Sequence, residues 1–154
     1  MLDLILPRKY QKSLNIKLLE TAVKQTMSAA KKEYNPHVTL KFCDDAEIRE
    51  LSLNYLGLDQ STDVLSFMSG YTDPETGIYH LGDIAISLET AIRQAEAGEH
   101  DLQTEVEMLL VHGVLHLLGF DHQDLSSYQR MSAAQDEVLK RLNNPLIGSI
   151  HALI

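Results

Sequence analysis

The stretch His112-Gly113-Val114-Leu115-His116-Leu117-Leu118-Gly119-Phe120-Asp121-His122 decides how the rest of the chain is read. Two histidines four apart in an apolar run project from one face of a helix, about one turn apart, as two ligands of one ion require. Gly119 is suited to the left-handed conformation that ends a helix and turns the chain sharply. That turn can return His122 to the same point, so three imidazoles converge from one short segment. Three neutral nitrogen donors with a fourth position open have the makings of a catalytic zinc site rather than a closed structural one. Each histidine alone reads more simply as a satisfied core or surface residue. All three at this spacing, with glycine at the turn, read as a metal site.

Outward from the histidines the chain alternates helical and extended patterns. Asp101 opens the most apolar helix, about residues 102–118, which carries His112 and His116 and is stopped by Gly119. Residues 2–6 read as a first or edge strand ended by Pro7. Ser13 is placed to cap a helix over about 14–32, where Leu14, Leu18, Ala22, Val23, Met27 and Ala30 recur at helical spacing. Residues 37–43 alternate, with Val38, Leu40 and Phe42 on one face. Asp44 or Asp45 then caps a short helix carrying Ile48, Leu51 and Tyr55, with Gly57 as its stop. Residues 64–67 make a short strand, 69–77 a turn-rich loop and 79–86 another strand; Ser87 caps a helix over about 88–97, broken by Gly98. Asp124 or Ser126 starts a last amphipathic helix to about residue 142, with Pro145 beyond. About four strands interleaved with about five helices, without repeat or linker, predict one α+β domain over residues 1–154: a compact mixed sheet with surrounding helices.

Composition narrows the function classes. The 154 residues carry 13 Lys+Arg against 22 Asp+Glu, a formal net charge of −9. That length buries roughly 70% of the unfolded chain's surface in one domain and leaves no room for two ordinary ones. The acidic balance argues against generic nucleic-acid binding, and no DNA partner is expected, although a local basic groove remains compatible with it. The single Cys43 excludes an internal disulfide framework and suits a reducing compartment. No apolar run is long enough for a membrane span, and MLDLILPRKY lacks the basic start and the cleavage site of a signal peptide.

The histidine spacing matches the metzincin peptidase signature H-E-x-x-H-x-x-G-x-x-H with one substitution: Gly113 stands where that signature has its glutamate base. The metal scaffold is kept and the proteolytic base is missing, which disfavours proteolysis. The same run resembles far more closely the H-G-x-L-H-L-x-G-[YF]-D-H signature of the YbeY family of metal-dependent endoribonucleases. Thr62-Asp63-Val64-Leu65-Ser66-Phe67 is similar to that family's T-[ND]-V-L-S-F block, and Leu81-Gly82-Asp83-Ile84-Ala85-Ile86-Ser87 to its L-G-D-[IL]-x-[IL]-[SC] block. Asn54-Tyr55 fits as well. The resemblance runs from about residue 40 to the end of the last helix. It implies a zincin-like fold and a cytoplasmic, zinc-dependent endoribonuclease specific for single-stranded RNA. It further implies a role in maturing the 3′ end of small-subunit ribosomal RNA and in ribosome quality control, with ribosomal RNA and the small ribosomal subunit as partners.

Two departures stand out. The family usually has arginine after the tyrosine, where this chain has Leu56, and its usual prolines are replaced by Ser61 and Met68. Losing the arginine removes a fork-shaped cation suited to phosphate oxygens, on which charge builds during phosphodiester cleavage. With glycine at the base position, the proton acceptor must come from elsewhere. Asp83 is the first candidate catalytic residue, against a plain capping role. Asp121 is a candidate to orient a ligand imidazole, against a plain turn role, and Ser66 to touch RNA backbone, against a plain strand role. Candidate RNA-facing cations are Lys31, Lys32, Lys41, Arg49, Arg93, Arg130, Lys140 and Arg141, with Lys41 and Arg49 nearest in sequence to the resembling blocks. His37, His80, His100 and His151 have no ligand spacing. Competing classes are a zinc hydrolase of another bond, such as peptide or amide, and a non-catalytic zinc-containing protein of ribosome assembly. One divalent ion per chain, zinc by its donor set, is expected on His112, His116 and His122. Elemental analysis checks it, with stoichiometric metal in the parent and a clear loss in His116→Ala.

Overall fold

The computed structural model describes residues 1–32 and 35–148. Strands β1 (Leu2–Ile5), β2 (His37–Cys43), β3 (Val64–Thr72) and β4 (Tyr79–Ser87) form one sheet in the order β1-β2-β4-β3. β1, β2 and β4 run parallel, and β3 lies antiparallel to β4 at the edge. The helices are α1 (Ile16–Ala29), α2 (Asp45–Leu56), α3 (Leu88–Ala97), α4 (Leu102–Leu117) and α5 (Leu125–Arg141). Among the described residues the fold is therefore α+β with a mixed four-stranded sheet and five α-helices.

Strand alternation assigns each residue to one side of the sheet. Val38, Leu40 and Phe42 of β2, Ile84 and Ile86 of β4 and Val64 of β3 join the main core with α1, α3, α4 and α5. One residue out of phase, Cys43, Ala85, Leu65 and Phe67 form a smaller core with Ile48 and Leu51 of α2 on the opposite face. α4 sits at the centre, between the sheet and α1, α3 and α5, and 12 of its 16 residues are buried. A helix enclosed on all sides needs apolar residues all round, so its pattern is continuous rather than striped. Fully buried side chains such as Met108, Leu109, Leu110 and Leu115 each stabilise the fold by roughly 1.5–3 kcal/mol.

Gly113 sets how closely α4 approaches the sheet. A Cβ there would stand 3.1 Å from Ile84 Cδ1 and Cγ2 and 3.2 Å from Ser66 Oγ. The Ser66 hydroxyl donates to the Gly113 carbonyl at 3.0 Å, tying edge strand β3 to the helix beside His112.

Three boundaries differ from the sequence expectations. The cap of α1 is Asn15, not Ser13: the Asn15 side chain accepts the Leu18 N–H at 3.3 Å, so the helix starts at Ile16. It ends at Ala29, and Lys31 just beyond has φ +58°. Residues 69–72, expected in a loop, continue β3, because pairing with β4 outweighs the local turn signals. The register shifts between Met68 and Tyr71, and Gly70 absorbs it at φ +60°. A 3-10 turn at Arg8–Tyr10 follows Pro7, with the Tyr10 N–H on the Pro7 carbonyl at 3.0 Å. Of the alternatives left open, Asp44 rather than Asp45 and Asp124 rather than Ser126 are the caps; these, with Ser87 and Asp101, each accept the N–H three residues on.

Gly82→Ala tests the tight sheet at β3–β4. Its Cβ would lie 2.3 Å from the Phe67 carbonyl oxygen and 2.7 Å from Leu117 Cδ2. Backbone cannot yield as a side chain does, so a loss of about 3 kcal/mol is expected. The check is a lower urea midpoint with unchanged slope.

Candidate metal centre

α4 ends in a Schellman motif that carries the third histidine back to the first two. The Gly119 N–H bonds the His116 carbonyl at 3.0 Å and the Phe120 N–H bonds the Leu115 carbonyl at 3.0 Å. Gly119 sits at φ +96°, where a side chain would be strained. Phe120 packs against the main core and anchors the turn. As a result His112, His116 and His122 each present a ring nitrogen within 4.8 Å of the others. The three rings stand 4.7, 5.1 and 6.0 Å apart, centroid to centroid.

Protonation and tautomer suit these rings to ligation. Burial pushes His112 down to about 4, with His116 and His122 nearby reinforcing the shift and the Gln135 hydrogen bond opposing it. Burial, then His122, also lowers His116. Both are therefore neutral near pH 7, as metal ligands must be. His112 Nδ1 lies 2.9 Å from Gln135 Oε1, a buried acceptor that assigns the ring proton to Nδ1 and leaves the Nε2 lone pair for a ligand. The His116 ring hydrogen-bonds the Phe120 backbone, and its Nε2 is 3.1 Å from His112 Nε2. Tetrahedral angles at zinc–nitrogen bonds of ~2.0–2.1 Å put donor atoms about 3.3 Å apart. The donor set fits a divalent transition ion.

The histidines open into a cavity of about 380 Å³, bordered by Leu56 at the end of α2, Asp63, Ser66 and Met68 around β3, and Asp121 in the turn. Leu56 is 46% exposed and faces this cleft. Asp121 accepts the Gln123 N–H at 3.4 Å, closing the turn, and its charge acts on His116. Asp83 does not join the site. It pairs opposite Phe67, on the α2 side of the sheet, is exposed, and does not line the cavity. Strand alternation decides this, since its neighbour Ile84 is the residue that meets α4 at Gly113. The cations nearest in sequence to the resembling blocks are engaged elsewhere: Lys41 with Glu47 at 2.9 Å and Arg49 with Asp59 at 2.6 Å. Arg93 pairs with Asp45 and Arg141 with Glu137, both at 2.8 Å. His37 contacts Asp3, His80 stacks on Tyr71, and His100 contacts Glu105; His151 lies outside the described residues.

Two site residues escaped sequence reasoning. Gln135 sits on the buried stripe of α5 with Met131 and Val138, and a glutamine on an apolar face was the available signal. Asp63, half-buried in the cavity wall, precedes β3 and accepts from Gln94 Nε2 at 3.3 Å. Its place in the family-like Thr62–Phe67 block was the available signal.

Fold and site together define an α+β protein with a three-histidine centre able to hold a divalent cation on one helix and its terminal turn. The family described as Endoribonuclease YbeY matches residues 7–143, and the chain belongs to it. A relative named Endoribonuclease YbeY from Pelotomaculum thermopropionicum is 44% identical over 129 residues, 82% of this chain and 85% of its own length. Another of that name, from Dehalococcoides mccartyi, is 32% identical over 157 residues, covering 94% and 91% of the two chains. The solution structure of a Thermotoga maritima protein covers the whole of both chains with a TM-score of 0.56 at 24% identity, a likeness of fold.

Two substitutions test this geometry. Gln135→Leu is expected to weaken metal binding by about 10–100-fold, read by competition with a chromogenic chelator, because the His112 proton loses its acceptor. Gly113→Glu is expected to destabilise the protein without producing casein hydrolysis, because a Cβ at 113 already stands 3.1 Å from Ile84 and 3.2 Å from Ser66 Oγ, and a longer side chain must displace them.

Proposed function

We propose that this chain is a metal-dependent endoribonuclease that cuts single-stranded RNA at the His112–His116–His122 centre, with zinc as its ion. The carrying observation is the convergence of three imidazole nitrogens at the wall of an open cavity, in a chain of the endoribonuclease YbeY family. When bound there, a divalent ion supplies Lewis acidity toward a phosphoryl oxygen and lowers the pKa of water. The chain's own residues do the rest. Gln135 and the Phe120 backbone hold two imidazoles in the ligating tautomer. Asp63, the carboxylate in the cavity wall beside β3, is suited to receive the proton, the part first assigned to Asp83. Ser66 fixes the wall by its bond to α4.

The finer reading is maturation of the 3′ end of small-subunit ribosomal RNA and ribosome quality control, in the cytoplasm, by a single domain spanning residues 1–154. The motif agreement from Thr62 through His122 supports it. Among the described residues no helix is long and apolar enough to cross a membrane. Leu56 favours a second reading, a zinc-containing assembly protein without cleavage, because it leaves the α2 wall of the cavity without a phosphate donor.

Metal-loaded protein is expected to cleave an unstructured oligoribonucleotide, to stop on chelation, and to leave casein intact. Cleavage of casein alone, or of neither substrate, contradicts the proposal. Loss of one well-placed donor costs about 10²–10³ in rate, so the parent's cleavage is expected to be slow. Leu56→Arg is expected to raise it, measured as single-turnover cleavage at fixed salt.

A further inference from the structure

The cavity at the histidines has two unlike sides. On the α2 and β3 side, Leu56 and Met68 are both apolar and exposed, Met68 by 70%. On the α5 side, the cavity shares Gly119, Phe120 and Asp121 with a shallower groove of about 220 Å³ whose far wall is Ser127 and Arg130. One wall suits the apolar face of a base and the other suits an anion.

Arg130 is the arginine left over for that role. Its guanidinium donates only weakly, to Ser127 Oγ at 3.4 Å, and among the described residues no carboxylate lies within 4 Å of it. Arg49, Arg93 and Arg141 are each held by a carboxylate. Arg8 follows β1 at the opposite edge of the sheet from β3. Two carboxylates near Arg130 are committed to the backbone: Asp124 caps α5 through the Ser127 N–H at 2.7 Å, and Asp121 accepts from Gln123. Their charge reduces the attraction for phosphate but leaves the fork of donors open.

We propose that Arg130 binds a backbone phosphate of single-stranded RNA laid across the histidines, serving on the α5 side where the α2 side offers only Leu56. The RNA then runs with bases toward Leu56 and Met68 and sugar-phosphate toward α5. An arginine fork matches phosphate oxygens geometrically, and its contact is sequence-independent. The inference rests on the RNA reading above and adds the direction from which the phosphate is held.

The test is binding of a fluorescein-labelled, unstructured oligoribonucleotide by anisotropy, with chelator present to prevent cleavage, over a series of salt concentrations. Arg130→Gln is expected to weaken binding roughly three- to tenfold at low salt and to shrink the slope of log K against log salt by about 0.7, the share of one phosphate contact on a single strand. Arg8→Gln is expected to match the parent in both. Leu56→Arg added to Arg130→Gln is expected to restore the slope. Metal content and melting temperature of Arg130→Gln, an exposed substitution, should equal the parent's. An unchanged slope and affinity in Arg130→Gln, while the parent binds RNA, overturns the inference and leaves the RNA reading standing. A parent that neither binds nor cleaves RNA overturns both.

Discussion

Close packing of α4 onto the sheet at Gly113 is the constraint on which the site depends. Without a side chain at that position the helix lies against Ile84 and within reach of the Ser66 hydroxyl, and β3 becomes a wall of the cleft. The helix is buried on nearly every side, so its register relative to the sheet cannot drift without opening cavities in the core, at several kcal/mol each. His112 and His116 inherit that rigidity directly. His122 inherits it through two backbone hydrogen bonds and the anchor of Phe120.

The same burial governs the electrostatics. Removing water from His112 makes its charged form unfavourable, so the ring stands neutral well below neutral pH. His116 Nε2 stands 3.1 Å from His112 Nε2, within hydrogen-bond distance. Gln135 and the Phe120 backbone engage the outer nitrogens, and the inner ones face a common point. The fold thus holds three ring nitrogens within 4.8 Å of one another, which is preorganisation for a divalent cation in a literal geometric sense.

Much of this was legible in the chain because the decisive signals were local. A four-residue histidine spacing, an apolar run too continuous for a surface helix, and a glycine at its end specify the helix, its burial and its turn. Caps with a side-chain oxygen, Asp44, Ser87, Asp101 and Asp124, were legible for the same reason. What escaped depended on tertiary placement. Asp83 sits in a family-like block, yet strand alternation turns it to the α2 face, and that face is fixed only once the sheet is assembled. β3 runs past Ser69 and Gly70 because β4 supplies the pairing that the turn residues alone disfavour. Gln135 lies 23 residues from His112 in sequence, and only helix packing brings the two together.

X-ray absorption on the metal-loaded protein addresses the central claim most directly, because it reads the ion's own coordination shell. Three imidazole nitrogens at about 2.0–2.1 Å, with the outer-ring scattering of histidine, are expected, and two in His122→Ala. A shell built mainly of oxygen or sulfur, or one unchanged in that variant, would contradict that claim.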